Sequence, residues 1–196
     1  MESFDKLTAL LARLPGVGRR SAERMALKLI RDPELMRALS LSLDEARSTI
    51  RSCLKCGSMT PVAENPCRLC TATGRDDQIL CVVDEPGDIY NIERAGCFRG
   101  RYHAMMGRIS PMKGDGPAEL RLQALLRRIE EEKFSEVVLA MSTDVEGDAT
   151  ASFLREKLAP LAVKVTRLAL GIPAGSGIGY ADPVTLERAI NGRQVV

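Results

Sequence analysis

Two Cys-x-x-Cys pairs, Cys53-Leu54-Lys55-Cys56 and Cys67-Arg68-Leu69-Cys70, stand ten residues apart in the chain. Each turn sets two thiolates on one side of a metal ion, and the second turn completes a tetrahedron of four sulfurs, the donor set of a structural zinc (Zn²⁺) site. Such a site is closed to substrate, and by analogy with zinc-finger peptides it contributes on the order of 10 kcal/mol to local folding. Two disulfides are the rival chemistry. They need an oxidising compartment, whereas the chain opens Met1-Glu2-Ser3-Phe4-Asp5 with neither a basic nor an apolar leader. The expectation is a zinc knuckle in a cytoplasmic protein.

A second group is acidic. Asp84-Glu85 follows the apolar run Leu80-Cys81-Val82-Val83, and Asp144-Val145-Glu146-Gly147-Asp148 follows Val137-Val138-Leu139-Ala140-Met141. If both runs are strands of one parallel sheet, their carboxyl ends border one crevice, and Asp84, Asp144, Glu146 and Asp148 converge there. Hard oxygen ligands of this kind suit Mg²⁺ bridged to phosphate. The alternative is two acidic loops that cap helices, with Asp148 capping a helix that starts near Ala149. Tyr90, Tyr102 and Tyr180 lie outside these elements, so none is an evident strand-cleaving nucleophile. His103, the single histidine, reads as a packed residue rather than a ligand.

The third group is basic. Arg20, Arg24, Lys28 and Arg31 recur at helical spacing, opposite the apolar stripe Ala22, Met25, Ala26, Leu29 and Ile30. Residues 1–31 carry seven cations against three anions, a local net of +4. Just before them, Leu14-Pro15-Gly16-Val17-Gly18 ends a helix marked by Leu7, Leu10, Leu11 and Leu14. Its glycines leave backbone amides uncovered at the next helix start, a place that attracts phosphate. Such contacts grip a phosphodiester backbone without reading bases, so binding would be independent of sequence and sensitive to salt. An ordinary helical hairpin with a solvated basic face is the other reading.

Three modules must position these groups. The residues before the knuckle lack strand signals and show helical spacing. After it, strands (78–83, 101–105, 136–141, 163–170) alternate with helices (86–95, 117–133, 148–161), and the nearly continuous apolar strands predict a mostly parallel sheet covered on both faces. The tail from Gly171 is glycine-rich and then helical, with Asp182-Pro183 as helix start and Gly192 as its stop. Gly175-Ser176-Gly177-Ile178-Gly179 lacks the Gly-Lys-Ser/Thr of a phosphate loop and reads as an interface segment. The fold class is therefore α+β and multi-module: residues 1–52 a helical hairpin, 53–76 the knuckle, 77–172 the sheet module and 173–196 an interface segment.

Length and composition set bounds. The 196 residues are 45% hydrophobic and 28% charged, enough for a real core but divided among small modules. A net charge of +2 does not announce a nucleic-acid partner, so that evidence rests on where the cations lie. No stretch approaches a membrane span. Cys81, inside a β-rich run, reads as an inert buried thiol.

These motifs carry resemblances. Leu14 to Gly18 resembles the helix-hairpin-helix of DNA-repair proteins. The acidic strand ends resemble a Toprim domain, with Asp84 where that fold has glutamate, Ser142 at its first aspartate and Asp144 at its second. The order of hairpin, knuckle, Toprim and tail resembles the bacterial RecR family of recombination mediators. Gly107-Arg108-Ile109-Ser110-Pro111, Gly116-Pro117, Val145-Glu146-Gly147, Gly171-Ile172-Pro173 and Tyr180-Ala181-Asp182 agree with that family. Ser142-Thr143-Asp144 and Ala174-Gly175-Ser176 depart from its usual Asn-Pro-Thr and Val-Gly-Gly.

The resemblance implies a non-enzymatic DNA clamp in recombinational DNA repair, cytoplasmic and nucleoid-associated. It would act with RecO and RecF to load the strand-exchange recombinase onto gapped single-stranded DNA. It further implies a homotetrameric ring that encloses single- or double-stranded DNA, with Arg19, Arg20, Arg24 and Lys28 lining its hole and the acidic crevice serving partner binding. The competing function is a Mg²⁺-dependent Toprim enzyme, a nuclease, primase or topoisomerase-like activity on DNA phosphodiesters using Asp84, Asp144, Glu146 and Asp148.

Overall fold

Helix-forming residues dominate the chain up to Thr49 and strand-forming residues recur after it, and the fold divides accordingly. The computed structural model describes residues 1–109 and 121–193. Two compact units result, Met1–Arg51 and Ser52–Val196.

The first unit contains α1 (Glu2–Leu11), α2 (Arg19–Arg31) and α3 (Pro33–Thr49). The turn between α1 and α2 depends on Gly16, whose φ of +74° lies in the left-handed region. Asp32 separates α2 from α3, and its carboxylate accepts the Leu35 N–H at 3.1 Å, with Pro33 in the first turn. The expected apolar stripe of α2 is only partly buried. Ala22, Ala26 and Leu29 are inside, but Met25 and Ile30 are exposed, as are Leu10, Leu14, Leu35 and Leu39. Three helices of this length enclose too little volume to hide every apolar side chain. Helix α3 has no buried residue, although Leu35, Leu39, Leu43 and Ala46 recur along it at helical spacing.

The division between units runs through a short strand, β1 (Ile50–Ser52). This corrects the reading that no strand precedes the knuckle, because three residues are too few to show a two-residue period. The second unit continues with β2 (Met59–Pro61) and α4 (Arg68–Thr71), which carry the cysteine loops. Then come β3 (Ile79–Val83), α5 (Pro86–Ala95), β4 (Arg101–Ala104), α6 (Leu122–Glu132), β5 (Glu136–Ala140), α7 (Val145–Leu158), β6 (Lys164–Arg167) and α8 (Pro183–Asn191). The alternation expected from sequence is present. Residues 117–120 of the expected α6, together with Ser110, Pro111 and Gly116, lie outside the described residues.

Strands β3 to β6 form a sheet in the order β4-β3-β5-β6, with every pairing parallel. Side chains alternate across it. Leu80 and Val82 face a cluster with Leu125, Ile129, Val137, Leu139, Leu154 and Leu158. Cys81 and Val83 face a second cluster with Ile89, Tyr102 and Ala104. Helices thus cover both faces, which is why these strands read as continuous apolar runs.

Helix α7 starts three residues earlier than expected. Its cap is Asp144, which accepts the Gly147 N–H at 2.8 Å, not Asp148. The early start depends on Gly147, because a Cβ there would lie 2.1 Å from the Ser142 carbonyl oxygen. The C-terminal helix begins as read, with Asp182 accepting the N–H groups of Val184 and Thr185 at 3.0 Å.

Candidate functional site

The two cysteine loops close on one point. Sγ separations are 3.4 Å for Cys56–Cys67, 3.8 Å for Cys67–Cys70 and 4.0 Å for Cys53–Cys70, and all four sulfurs lie within 4.8 Å of one another. A tetrahedron with Zn–S bonds of about 2.3 Å needs sulfurs about 3.8 Å apart, whereas a disulfide needs about 2.0 Å. All six cysteines are free thiols, so the disulfide alternative falls and the four-sulfur set fits a metal ion. Backbone amides support the sulfurs: Ser58 donates to Cys56 at 3.4 Å and Cys67 to Cys53 at 3.3 Å. Crowding splits the titrations. Contact with Cys56 holds the Cys67 thiol far down, while contact with Cys67 pushes Cys56 up to about 12. A divalent cation resolves that conflict by taking all four as thiolates. Cys81 stays outside this chemistry, since burial pushes its thiol up to about 12.

The acidic crevice forms where expected, at the carboxyl ends of β3 and β5. The register pairs Val83 with Ala140, which places Asp84 beside the Met141-Ser142 turn. Asp84 is buried, and its Oδ2 accepts the Ser142 N–H at 2.9 Å and the Ser142 hydroxyl at 2.7 Å. Its Oδ1 has no hydrogen-bond partner among the described residues. Glu85 serves as the cap of α5 in a capping box with Asp88.

Three arginines hold the remaining carboxylates. Arg108 reaches Asp144 at 2.6 Å and Glu146 at 3.7 Å, while Asp148 receives Arg167 at 2.6 Å and Arg188 at 2.5 Å. The Gly147 amide, then Arg108, hold the Asp144 carboxyl below the usual carboxylate range. The carboxylates are therefore brought to one end of the sheet, but they are matched to guanidinium groups rather than gathered as a magnesium cage. Among the described residues, the four cysteines are the one set of three or more Cys, His, Asp or Glu side chains close enough to share a metal ion. The sequence reading missed these arginines. Arg108 figured only as part of the Gly107-to-Pro111 motif and not as a carboxylate partner, and Arg167 and Arg188 approach Asp148 from elements 19 and 40 residues away.

The basic residues lie as expected along α2, and Arg19, Arg20, Arg24 and Lys28 are all exposed. Their freedom differs. Arg19 lies 3.7 Å from Glu23, and Lys28 lies 2.8 Å from Asp32, whereas Arg20 and Arg24 have no ion-pair partner among the described residues. Gly18 caps the helix without a side-chain hydrogen bond, so the first-turn amides face outward beside these arginines.

Comparison with known proteins agrees with this architecture. Residues 4–47 match the RecR helix-hairpin-helix model, residues 78–169 the Toprim domain model and residues 171–194 the RecR C-terminal model. The chain is similar to "Recombination protein RecR" of Syntrophotalea carbinolica, 46% identical over 98% of this chain and 96% of that protein. It is also similar to the protein of the same name from Geobacter metallireducens, 47% identical over 97% and 95%. The Streptomyces coelicolor counterpart is 44% identical over 95% and 93%. With a hairpin, a four-sulfur centre and a Toprim sheet in this order, and relatives this similar along nearly its whole length, the chain belongs to the RecR family.

Proposed function

We propose that this chain is a DNA-binding recombination mediator, a cytoplasmic and nucleoid-associated clamp that acts in recombinational repair. The observation that carries the proposal is the exposed cationic face of α2 beside an uncapped helix start, in a hairpin that matches the RecR helix-hairpin-helix model. Arg20 and Arg24 make the main phosphate contacts because their charges are unspent, and Arg19 and Lys28 add to them after releasing Glu23 and Asp32. These contacts hold single- and double-stranded DNA alike.

The assembly is a homotetrameric ring. Exposed Leu10, Leu14, Met25, Ile30 and Leu35 supply apolar surface for subunit contact, and enclosure lets few cations per subunit retain DNA. The cysteine centre holds structural zinc. Its residues fit that ion, and the ion's role is to brace the two loops, with no part in a reaction. The acidic crevice receives a partner protein, RecO, and the assembly works with RecO and RecF to place the recombinase on gapped DNA. Domain limits of 1–52, 53–76, 77–172 and 173–196 go with this division of labour.

The protein acts without catalysis. A Mg²⁺-dependent Toprim activity would need Asp144 and Asp148 free to bind a cation, and both are taken by arginine. Purified protein incubated with supercoiled and single-stranded DNA plus Mg²⁺ should leave both intact while retaining them in a native gel. Cleavage that disappears in Asp144→Ala would replace the clamp by the enzyme.

A further inference from the structure

Each cysteine loop is gripped from behind by one arginine of the sheet module. Arg121, at the start of α6, donates from Nη2 to the carbonyls of Leu54 at 2.8 Å and Lys55 at 3.2 Å, inside the first Cys-x-x-Cys turn. Its Nη1 donates to Ala104 O at 3.2 Å, at the end of β4. Arg101, the first residue of β4, donates from Nη1 to Leu69 O at 2.9 Å and from Nη2 to Ala72 O at 3.2 Å, around the second turn, and its Nε holds Asp77 at 2.6 Å. Arg101 is only 8% exposed.

The fit around Arg121 is close. A Cβ on Gly57, the residue after Cys56, would lie 2.4 Å from Arg121 Nη1, and Gly57 has a φ of +85°. The loop thus uses glycine at the point where the guanidinium seats. Neighbouring backbone bonds tighten the same junction: Ala104 N–H donates to Cys56 O at 2.8 Å and Arg121 N–H to Met105 O at 3.1 Å.

Charge gives this geometry a purpose. Four thiolates around one divalent cation leave two negative charges on a largely buried centre, and such charge is costly without a partner. We propose that Arg121 and Arg101 are positioning residues of the metal centre, fixing the backbone of the two Cys-x-x-Cys turns and placing positive charge against the tetrathiolate. This rests on the metal reading of the four cysteines. Since both arginines also hold β4, an edge strand of the sheet, metal loading and the order of that edge are linked.

The test uses the full chain. Zinc content is measured first, and then zinc affinity by competition with a chromogenic chelator, for wild type, Arg121→Met, Arg121→Lys, Arg101→Met and Arg75→Met. Arg75 is a control for loss of a half-buried arginine, since it holds Gly100 O at 2.8 Å and pairs with Glu93 but touches neither cysteine turn. Arg121→Met and Arg101→Met should each weaken zinc binding about 10- to 100-fold, as for other outer-shell ligand supports. Arg121→Lys should recover part of the loss, and Arg75→Met should bind as wild type does. Cobalt-substituted Arg121→Met should show altered sulfur-to-metal charge-transfer bands. If Arg121→Met does not fold, Arg101→Met and Arg121→Lys carry the comparison. Wild-type affinity in the Arg101 and Arg121 variants, or an equal loss in Arg75→Met, overturns the proposal. A wild-type protein that binds no zinc removes the metal reading instead.

Discussion

Arg188, on the last helix, reaches back 40 residues to donate to Asp148 in the acidic crevice at 2.5 Å, and its other terminal nitrogen donates to the Thr143 carbonyl at 2.9 Å. Asp148 is therefore an anchor for α8. Arg188→Ala or Asp148→Asn should loosen residues 183–191 while leaving the sheet intact. The pair is partly exposed, so the cost should be about 1–2 kcal/mol. Hydrogen exchange should show faster amides in α8 and unchanged amides in β3 and β5; equal protection of α8 in wild type and variants would contradict the anchor.

Gly147→Ala tests the turn that builds the crevice. The added Cβ meets Ser142 backbone atoms at 2.1 and 2.7 Å, and backbone yields less readily than a flexible side chain. The loss should be about 1–3 kcal/mol in urea melts. An unchanged midpoint would mean that the start of α7 shifts freely.

His103 predicts a pH dependence. It is fully buried, its Nε2 lies 3.3 Å from Arg121 O, and its Nδ1 has no hydrogen-bond partner among the described residues. Burial, reinforced by Arg121 and Arg128, lowers its pKa from 6.5 to about 3. The unfolded chain then binds a proton between these values that the folded chain refuses, so stability falls as pH drops through that window. The slope from this one group approaches about 1.4 kcal/mol per pH unit. His103→Gln should flatten the stability profile there, and parallel profiles would contradict the assignment.

Much of this was legible in the sequence because it depends on local pattern. The cysteine spacing announces a four-sulfur centre, and apolar runs such as Leu80 to Val83 announce buried parallel strands. The crevice was legible in its carboxylates but not in their partners, since Arg167 and Arg188 meet Asp148 only after β6 and α8 dock. Asp148 read as the cap of α7, but the close turn at Gly147 starts the helix earlier and makes Asp144 its cap. The exposure of Met25 and Ile30 could not be read either, because helical spacing defines a stripe and not what covers it.

The central claim is that the cationic face of α2 holds DNA by its phosphates. The direct measurement is the affinity of full-length protein for single-stranded and duplex oligonucleotides across a salt titration, for wild type and the Arg20→Ala/Arg24→Ala double variant. Wild type should bind both, with log affinity falling linearly against log salt. The variant should bind far more weakly, its slope shallower by about 0.9 per duplex phosphate contact removed and about 0.7 on single strands. Identical slopes in variant and wild type, or no binding to either DNA at low salt, would contradict the account.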